Sequence, residues 1–312
     1  MPWFAIGTYR SASTTRLALA VKGGAYDLGE AAVAAGHTAP SVAWTGGTLD
    51  EVIAQWDNRL GLIRSIALTL QSPLPQLKSP PDIAARLVAP LRPVRIFCAA
   101  SNYIEHANEM GTVLAAKSTS KPYIFMKTGT TVIGPGETVR LPPESAKVDW
   151  EVELAAIIGR GGRHIPLRSA LEHVAAYTVV NDISARDLTR REDYPFKFDW
   201  FQGKNFDTFC PMGPWIVPAE CVGDPQRLKL SLAVNDTMMQ AATTAEMIWT
   251  LAEQIAYLSS MLTLRPGDVI ATGTPTGVGA GRGIFLKPGD VMTASIEHIG
   301  TLINPVAAEE RR

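Results

Sequence analysis

The sequence is short of cysteine, of net charge and of long apolar runs, and each shortage removes a class of protein. Its three cysteines, Cys98, Cys210 and Cys221, are odd in number and far apart. No C-x-x-C pair occurs, so neither a disulfide framework nor a thiolate zinc site is indicated, and a reducing, cytoplasmic setting is expected. Net charge is −1, from 29 basic against 30 acidic residues, with no long basic block. Such a block is the footprint of a nucleic-acid binder, so no nucleic-acid partner is expected. No run approaches the roughly 18 apolar residues that mark a membrane span. The first twenty residues carry Arg10, Arg16 and several Ser and Thr where a leader would be apolar. A soluble chain with no membrane partner is expected.

Cofactor and nucleophile motifs are missing too. The run 271–281 is Gly-rich and follows a strand, but Arg282 stands where the last glycine of G-x-G-x-x-G would fall. The run 129–134 is followed by Pro135 and not by the lysine of a phosphate loop. A nucleotide cofactor is therefore not expected. No G-x-S-x-G elbow and no H-E-x-x-H helix occurs, which removes serine-hydrolase and zinc-peptidase readings.

What is present suits a large core. Hydrophobic residues make up 46% of 312 and charged residues 19%, enough for one large domain or two unequal ones. Strand-like runs open the chain at 3–10, 15–22 and 24–27. A helical pattern follows over 50–70, with Val52, Ile53, Trp56, Leu60, Ile63 and Ile66 on one face. Prolines 73, 75, 80, 81, 90 and 93 then punctuate the chain. Because proline blocks regular pairing, a boundary is expected there: a small N-terminal α/β domain over 1–75, a linker over 76–93, a catalytic domain over 94–306 and a tail over 307–312. The larger part opens with an apolar strand, 94–99, and a helix-compatible segment, 101–117. Strand-like runs follow at 123–128, 138–141, 150–158, 176–180, 215–217, 229–234, 268–272 and 291–296. An amphipathic helix is expected over 244–262, ended by Arg265-Pro266-Gly267-Asp268. The fold class expected is mixed β with few helices, α+β, not a doubly wound sheet.

Four constellations could carry chemistry. Glu151 and Glu153, two apart in a strand, project from one face while Trp150, Val152 and Leu154 project from the other. Like charges that close call for a cation between them, and a hard dication is the usual one. On spacing alone, a solvated strand face is the commoner outcome. Asp182 ends the apolar run 176–181 and offers a third carboxylate at the lip of a buried strand; an Asx turn there is the plainer reading. Three oxygen ligands with open positions suit Mg²⁺ or Mn²⁺. His106 and Glu109, three apart, are neighbours on a helix face, where a carboxylate fixes the imidazole tautomer and raises its basicity. Lys204, in a Gly-flanked aromatic-rich loop, could meet a developing oxyanion, although loop lysines are more often merely solvated.

These pieces in this order resemble the fumarylacetoacetate hydrolase family, in its shorter acylpyruvate hydrolase and 2-hydroxyhepta-2,4-diene-1,7-dioate isomerase branch. The similar stretches are Asn102-Tyr103 through His106 and Glu109, Asp149-Trp150-Glu151-Val152-Glu153-Leu154, Asn181 to Asp187, Gly203 to Phe209, and Leu264-Arg265-Pro266-Gly267-Asp268 into Thr272-Gly273-Thr274-Pro275. The resemblance implies a β-roll or barrel-like sandwich and a homodimer. It implies Mg²⁺ or Mn²⁺, or Ca²⁺ as in some members, held by Glu151, Glu153 and Asp182. His106 and Glu109 match a catalytic dyad on a lid helix and Lys204 an oxyanion lysine. Arg186 and Thr274 are taken as substrate contacts. Two positions depart from fumarylacetoacetate hydrolase proper. Ala99 stands where it has a further metal-ligating aspartate, and Thr189 where it has a glutamine. Both turn the expectation toward acylpyruvates, oxaloacetate or hydroxymuconate-type diacids. The reaction expected first is C–C hydrolysis of a 1,3-dioxo acid through an enolate. Isomerisation, tautomerisation or decarboxylation at the same site is the alternative, and a non-catalytic metal scaffold the reading from another class.

Overall fold

The structure, a computed structural model, describes residues 2–22, 24–72, 77 and 82–310. Of the proline-punctuated stretch, Pro73, Pro75, Pro80 and Pro81 lie outside the described residues. The chain opens with an antiparallel meander, β1 (Phe4–Ser11), β2 (Thr14–Val21) and β3 (Gly24–Asp27). Asp27 caps the next element, α1 (Leu28–Ala34), by accepting from the Glu30 N–H. The single helix expected over 50–70 is two, α2 (Leu49–Ala54) and α3 (Trp56–Thr69), broken at Gln55. Thr48 and Glu51 form a reciprocal capping box at the start of α2.

Then come β4 (Leu87–Val88), β5 (Arg95–Ala100), α4 (Ile104–Glu109), β6 (Tyr123–Thr128), β7 (Val132–Ile133), β8 (Val139–Leu141), β9 (Val148–Asp149) and β10 (Val152–Ile158). Next are β11 (Val174–Asn181), β12 (Ser184–Ala185), α5 (Trp200–Lys204), β13 (Cys210–Pro218) and α6 (Ala219–Val222). The chain ends through β14 (Lys229–Val234), β15 (Thr237–Thr243), α7 (Leu251–Met261), β16 (Val269–Ala271), β17 (Val291–Ile296) and β18 (Gly300–Ala308).

The strands form a large mixed sheet in the order β3-β2-β1-β13-β11-β10-β16-β5-β6, a five-stranded sheet β15-β14-β17-β18-β8, and the short pair β12-β9. Residue alternation in β10 explains the layering. Val152, Leu154, Ala156 and Ile158 join the core shared with the five-stranded sheet and α7, while Ala155 and Ile157 join the core shared with α1, α2 and α3. A strand buried on both faces reads as a continuous apolar run, and β10 does. By contrast β14 and β17 alternate, one face buried and one wet. The mixed, strand-rich architecture is thus the one expected. The N-terminal meander lies in the large sheet itself, because β1 pairs with β13 at Ile6↔Ile216.

Two expected helices are shorter. Of 101–117 only Ile104–Glu109 is helical, because Gly111 takes a left-handed φ of 66°. The N–H groups of Gly111 and Thr112 close back on the Asn108 and Ala107 carbonyls, a Schellman stop. Of 244–262 the helix is Leu251–Met261, started by a capping box between Thr250 and Glu253. Met247 and Ile248 fall before it, their N–H groups donating to the Thr244 and Asn102 carbonyls respectively.

Candidate metal centre

Register assembles the three carboxylates. β10 and β11 pair antiparallel with Val152 opposite Asn181, so the next position in each direction sets Glu151 opposite Asp182. The Asp182 N–H donates to the Glu151 carbonyl at 2.9 Å. Glu151 itself lies in a break between β9 and β10 and not within the strand, as the alternation argument assumed. The Asn181 side chain closes that break by accepting from the Glu151 N–H at 2.8 Å. One carboxylate oxygen each from Glu151, Glu153 and Asp182 lies within 4.8 Å of the others, and all three residues are buried.

Three cations meet two of the three carboxylates, Glu151 and Asp182. Lys204 Nζ, at the end of α5, donates to Glu151 Oε2 at 2.6 Å and to Asp182 Oδ2 at 2.5 Å. Arg186 reaches Glu151 Oε1 at 2.5 Å and donates to Asp149 Oδ2 at 2.8 Å. Lys127, on β6, reaches Asp182 Oδ1 at 2.7 Å and donates to the carbonyls of Ile183 and Lys204. Burial pushes the Glu151 carboxyl up, but Arg186 and Lys204 outweigh it and hold the group well below the usual carboxylate range. Burial would lower the Lys204 ammonium, yet Asp182 and Glu151 outweigh that and raise it. Glu153 has no ion pair among the described residues; a single N–H, from Gly273, meets its Oε2 at 2.8 Å. Burial first, then Asp182 and Glu151, push the Glu153 carboxyl well up. A converging set of hard oxygen donors with one uncompensated carboxyl fits a hard dication such as Mg²⁺ or Mn²⁺.

The dyad lies beside this cluster. His106 Nδ1 is 3.0 Å from Glu109 Oε1, and the loop that holds Glu109 also holds Asp149, the partner of Arg186. Glu109 also accepts from Thr276 Oγ1 at 2.9 Å and from the Gly277 N–H at 2.9 and 3.0 Å. Burial raises the Glu109 carboxyl, but His106, the Gly277 N–H and Thr276 together lower it. A carboxylate can only accept, so Nδ1 is the donating nitrogen of this pair.

Thr274 does not present a free hydroxyl: its Oγ1 donates to the Val152 carbonyl at 3.0 Å and accepts from Gln240 Nε2 at 2.9 Å. Within the Gly-rich run 271–281, set aside as a nucleotide loop, residues 276–280 do bind carboxylates, but the protein's own. Beyond Glu109, the Gly279 and Ala280 N–H groups donate to Asp149 at 2.7 and 3.0 Å. A Cβ on Gly279 would sit 2.0 Å from the Ile284 carbonyl oxygen and 2.8 Å from Asp149 Oδ1, so only glycine permits this approach.

Sequence reasoning missed Lys127, Asp149 and Asn181. Lys127 carried no local signal: β6 is the edge strand of the large sheet, where a lysine is ordinarily wet, yet Lys127 is buried there. A separate cavity of about 1100 Å³, lined by Trp3, Trp215, Lys229 and His298 among others, shares no residue with the centre.

Residues 95–307 match the model of the fumarylacetoacetate hydrolase C-terminal domain. The chain belongs to the fumarylacetoacetate hydrolase family. It is an enzyme of the hydrolase, isomerase or tautomerase kind found there. Human mitochondrial oxaloacetate tautomerase FAHD2A is 40% identical over 262 residues, 83% of this chain and 79% of that protein. The structure of fumarylpyruvate hydrolase from Pseudomonas aeruginosa, in complex with Mn²⁺ and pyruvate, is 36% identical with a TM-score of 0.62, covering 71% of this chain and 91% of that one. Maleylpyruvate hydrolase from Sphingobium sp. SYK-6, in complex with manganese(II) and pyruvate, is 27% identical with a TM-score of 0.72, covering 98% of this chain and 100% of that one. No helix among the described residues is long and apolar enough to cross a membrane.

Proposed function

We propose that the chain is a dication-dependent enzyme that forms the enolate of a small 2-oxo acid, with tautomerisation of an oxaloacetate-type diacid as its reaction. What supports this reading is the meeting of three buried carboxylates with the buried Lys204 ammonium, together with a His106–Glu109 pair held by the same loop that holds Asp149 and, through it, Arg186. Glu151, Glu153 and Asp182 would hold Mg²⁺ or Mn²⁺, with Ca²⁺ a third candidate, and the cation supplies Lewis-acid stabilisation of enolate charge. His106 Nε2 removes a proton from the carbon next to the oxo group and returns it to the other face or atom. Glu109 keeps the imidazole in the tautomer that can do so. Lys204 meets the developing negative oxygen, and Arg186 orients Glu151 and offers its remaining N–H groups to a substrate carboxylate. Thr274 serves by fixing the loop after β16 against β10.

The sequence alone put C–C hydrolysis of an acylpyruvate first. The extent of likeness to an oxaloacetate tautomerase moves tautomerisation ahead of it. Hydrolysis stays as the second reading, supported by the manganese- and pyruvate-bound hydrolases; there the dyad activates water instead. Every residue of this site lies within 94–306, which is the sense in which we keep the division at the proline-rich segment. A homodimer and a cytoplasmic setting belong to the same proposal, although the human relative carries a mitochondrial name.

The test follows ultraviolet absorbance of enol oxaloacetate and of acylpyruvates, with mass spectrometry of products, before and after EDTA and with Mg²⁺ or Mn²⁺ restored. Enol-oxaloacetate decay without pyruvate release supports tautomerisation, pyruvate plus the matching carboxylic acid from an acylpyruvate supports hydrolysis, and pyruvate plus carbon dioxide from oxaloacetate would mean decarboxylation. Turnover that persists after complete metal removal sinks both. His106→Ala should lower turnover about a hundredfold or more with metal content unchanged.

A further inference from the structure

We infer that Lys204 is an exchangeable counter-ion of the carboxylate triad. A dication entering the centre takes over the two oxygens that the Lys204 ammonium holds, and the released ammonium turns to the negative charge of the substrate. The inference rests on the metal reading above and adds to it a competition between the protein's own cation and the incoming one.

The carboxylate oxygens are nearly all in use. Glu151 Oε1 faces Arg186, Glu151 Oε2 and Asp182 Oδ2 face Lys204, Asp182 Oδ1 faces Lys127, and Glu153 Oε2 accepts from Gly273. A dication drawing one oxygen from each residue must therefore share with a resident cation. Two cations on the same lone pairs repel, and in a buried site that repulsion is poorly screened.

The three residents are not equally anchored. Arg186 is also held by Asp149 at 2.8 Å, and Lys127 by the carbonyls of Ile183 and Lys204. Lys204 Nζ has beyond its two carboxylates only a long contact of 3.5 Å to the Asp182 carbonyl and the Phe125 ring, 5.1 Å away. Lysine is also the point charge on a flexible stem, unlike the forked guanidinium of arginine. Lys204 is the one able to leave.

Charge balance says where it goes. Four carboxylates, Asp149, Glu151, Glu153 and Asp182, share three cations, so a dication leaves the centre with one positive charge unmatched. A ligand carrying a carboxylate and an enolate on adjacent carbons supplies two negative charges, and the freed ammonium is one of the groups they would meet.

Calorimetric titration of Mg²⁺ and Mn²⁺ into the wild type, Lys204→Met and Lys127→Met tests the competition. Lys204→Met should bind the cation about tenfold or more tightly than wild type. Lys127→Met, which removes the same charge from an oxygen Lys204 does not hold, should gain less. Equal gains in the two variants, or no gain in Lys204→Met, overturn the inference while leaving the metal reading intact. No binding in any of the three proteins overturns both. A measurement on the wild type needs no variant to fold: Lys127 and Lys204 are the buried lysines among the described residues, and their ammonium nitrogens should give protected NMR signals. Saturating Mg²⁺ should move one of them strongly, the one lost in Lys204→Arg; if neither moves, Lys204 has not been released.

Discussion

Two regions of this molecule bury carboxylates, and they do it differently. At the centre, Glu151 and Asp182 are met by side-chain cations, Lys204, Arg186 and Lys127. In the loop beside it, Asp149 and Glu109 are met largely by backbone N–H groups of residues 277–280. A backbone donor is fixed by the fold and carries no net charge to trade. A side-chain cation can be replaced by another cation. The first arrangement suits a place where an ion must enter, the second a place where a loop must stay.

Glu151→Gln should have the largest effect. It removes a proposed ligand and the acceptor of two cations, and turnover should fall about 10³-fold or more with metal lost, as measured by atomic absorption after dialysis. Asp149→Ala strikes the other region. It strands the Gly279 and Ala280 N–H groups and one arm of Arg186, and should cost about 3–5 kcal/mol in denaturant unfolding. Metal affinity should then change by no more than about 10–100-fold. If Asp149→Ala strips the metal as fully as Glu151→Gln does, the two regions are one site and the contrast fails.

Gly279→Ala sharpens the contrast further. Its Cβ would press on the Ile284 carbonyl, and a loss of about 1–3 kcal/mol is expected with little change in metal binding. The smallest effect concerns pH. Glu109 faces His106 and the 276–277 loop, and its carboxyl is lowered on folding. A lowered carboxyl gives stability that is fully present above its unfolded value and is lost as pH falls through the folded one. The stability difference between wild type and Glu109→Gln should be flat above about pH 5 and shrink below it. A difference that instead grows on acidification would mean Glu109 is not the ionised partner of His106 and the loop.

The sequence made the carboxylates legible because register-forming strands are short-range patterns. Glu151, Glu153 and Asp182 each end or begin an apolar run, and the ladder between 152 and 181 does the rest. The dyad was legible for the same reason, being three residues apart on a short helix. The loop was not. Gly277 meets Glu109 across 168 positions and Gly279 meets Asp149 across 130, so no local pattern ties them. Its glycines were read as a failed phosphate cradle because the donor geometry was visible and the internal acceptors were not. Helix lengths were overstated where apolar spacing continued past a true stop, at Gly111, or began before a true cap, at Thr250.

The pairing of β1 with β13 bears on how this protein can be cut or recombined. Each half of the large sheet is the other's neighbour, and a chain severed at the proline-rich segment would open the edge of β13 around Ile216. An uncovered edge with apolar residues on both faces invites pairing with foreign strands. Swapping the first part among relatives should therefore keep the Ile6↔Ile216 register, and a fragment begun at residue 94 should be more prone to self-association than the whole.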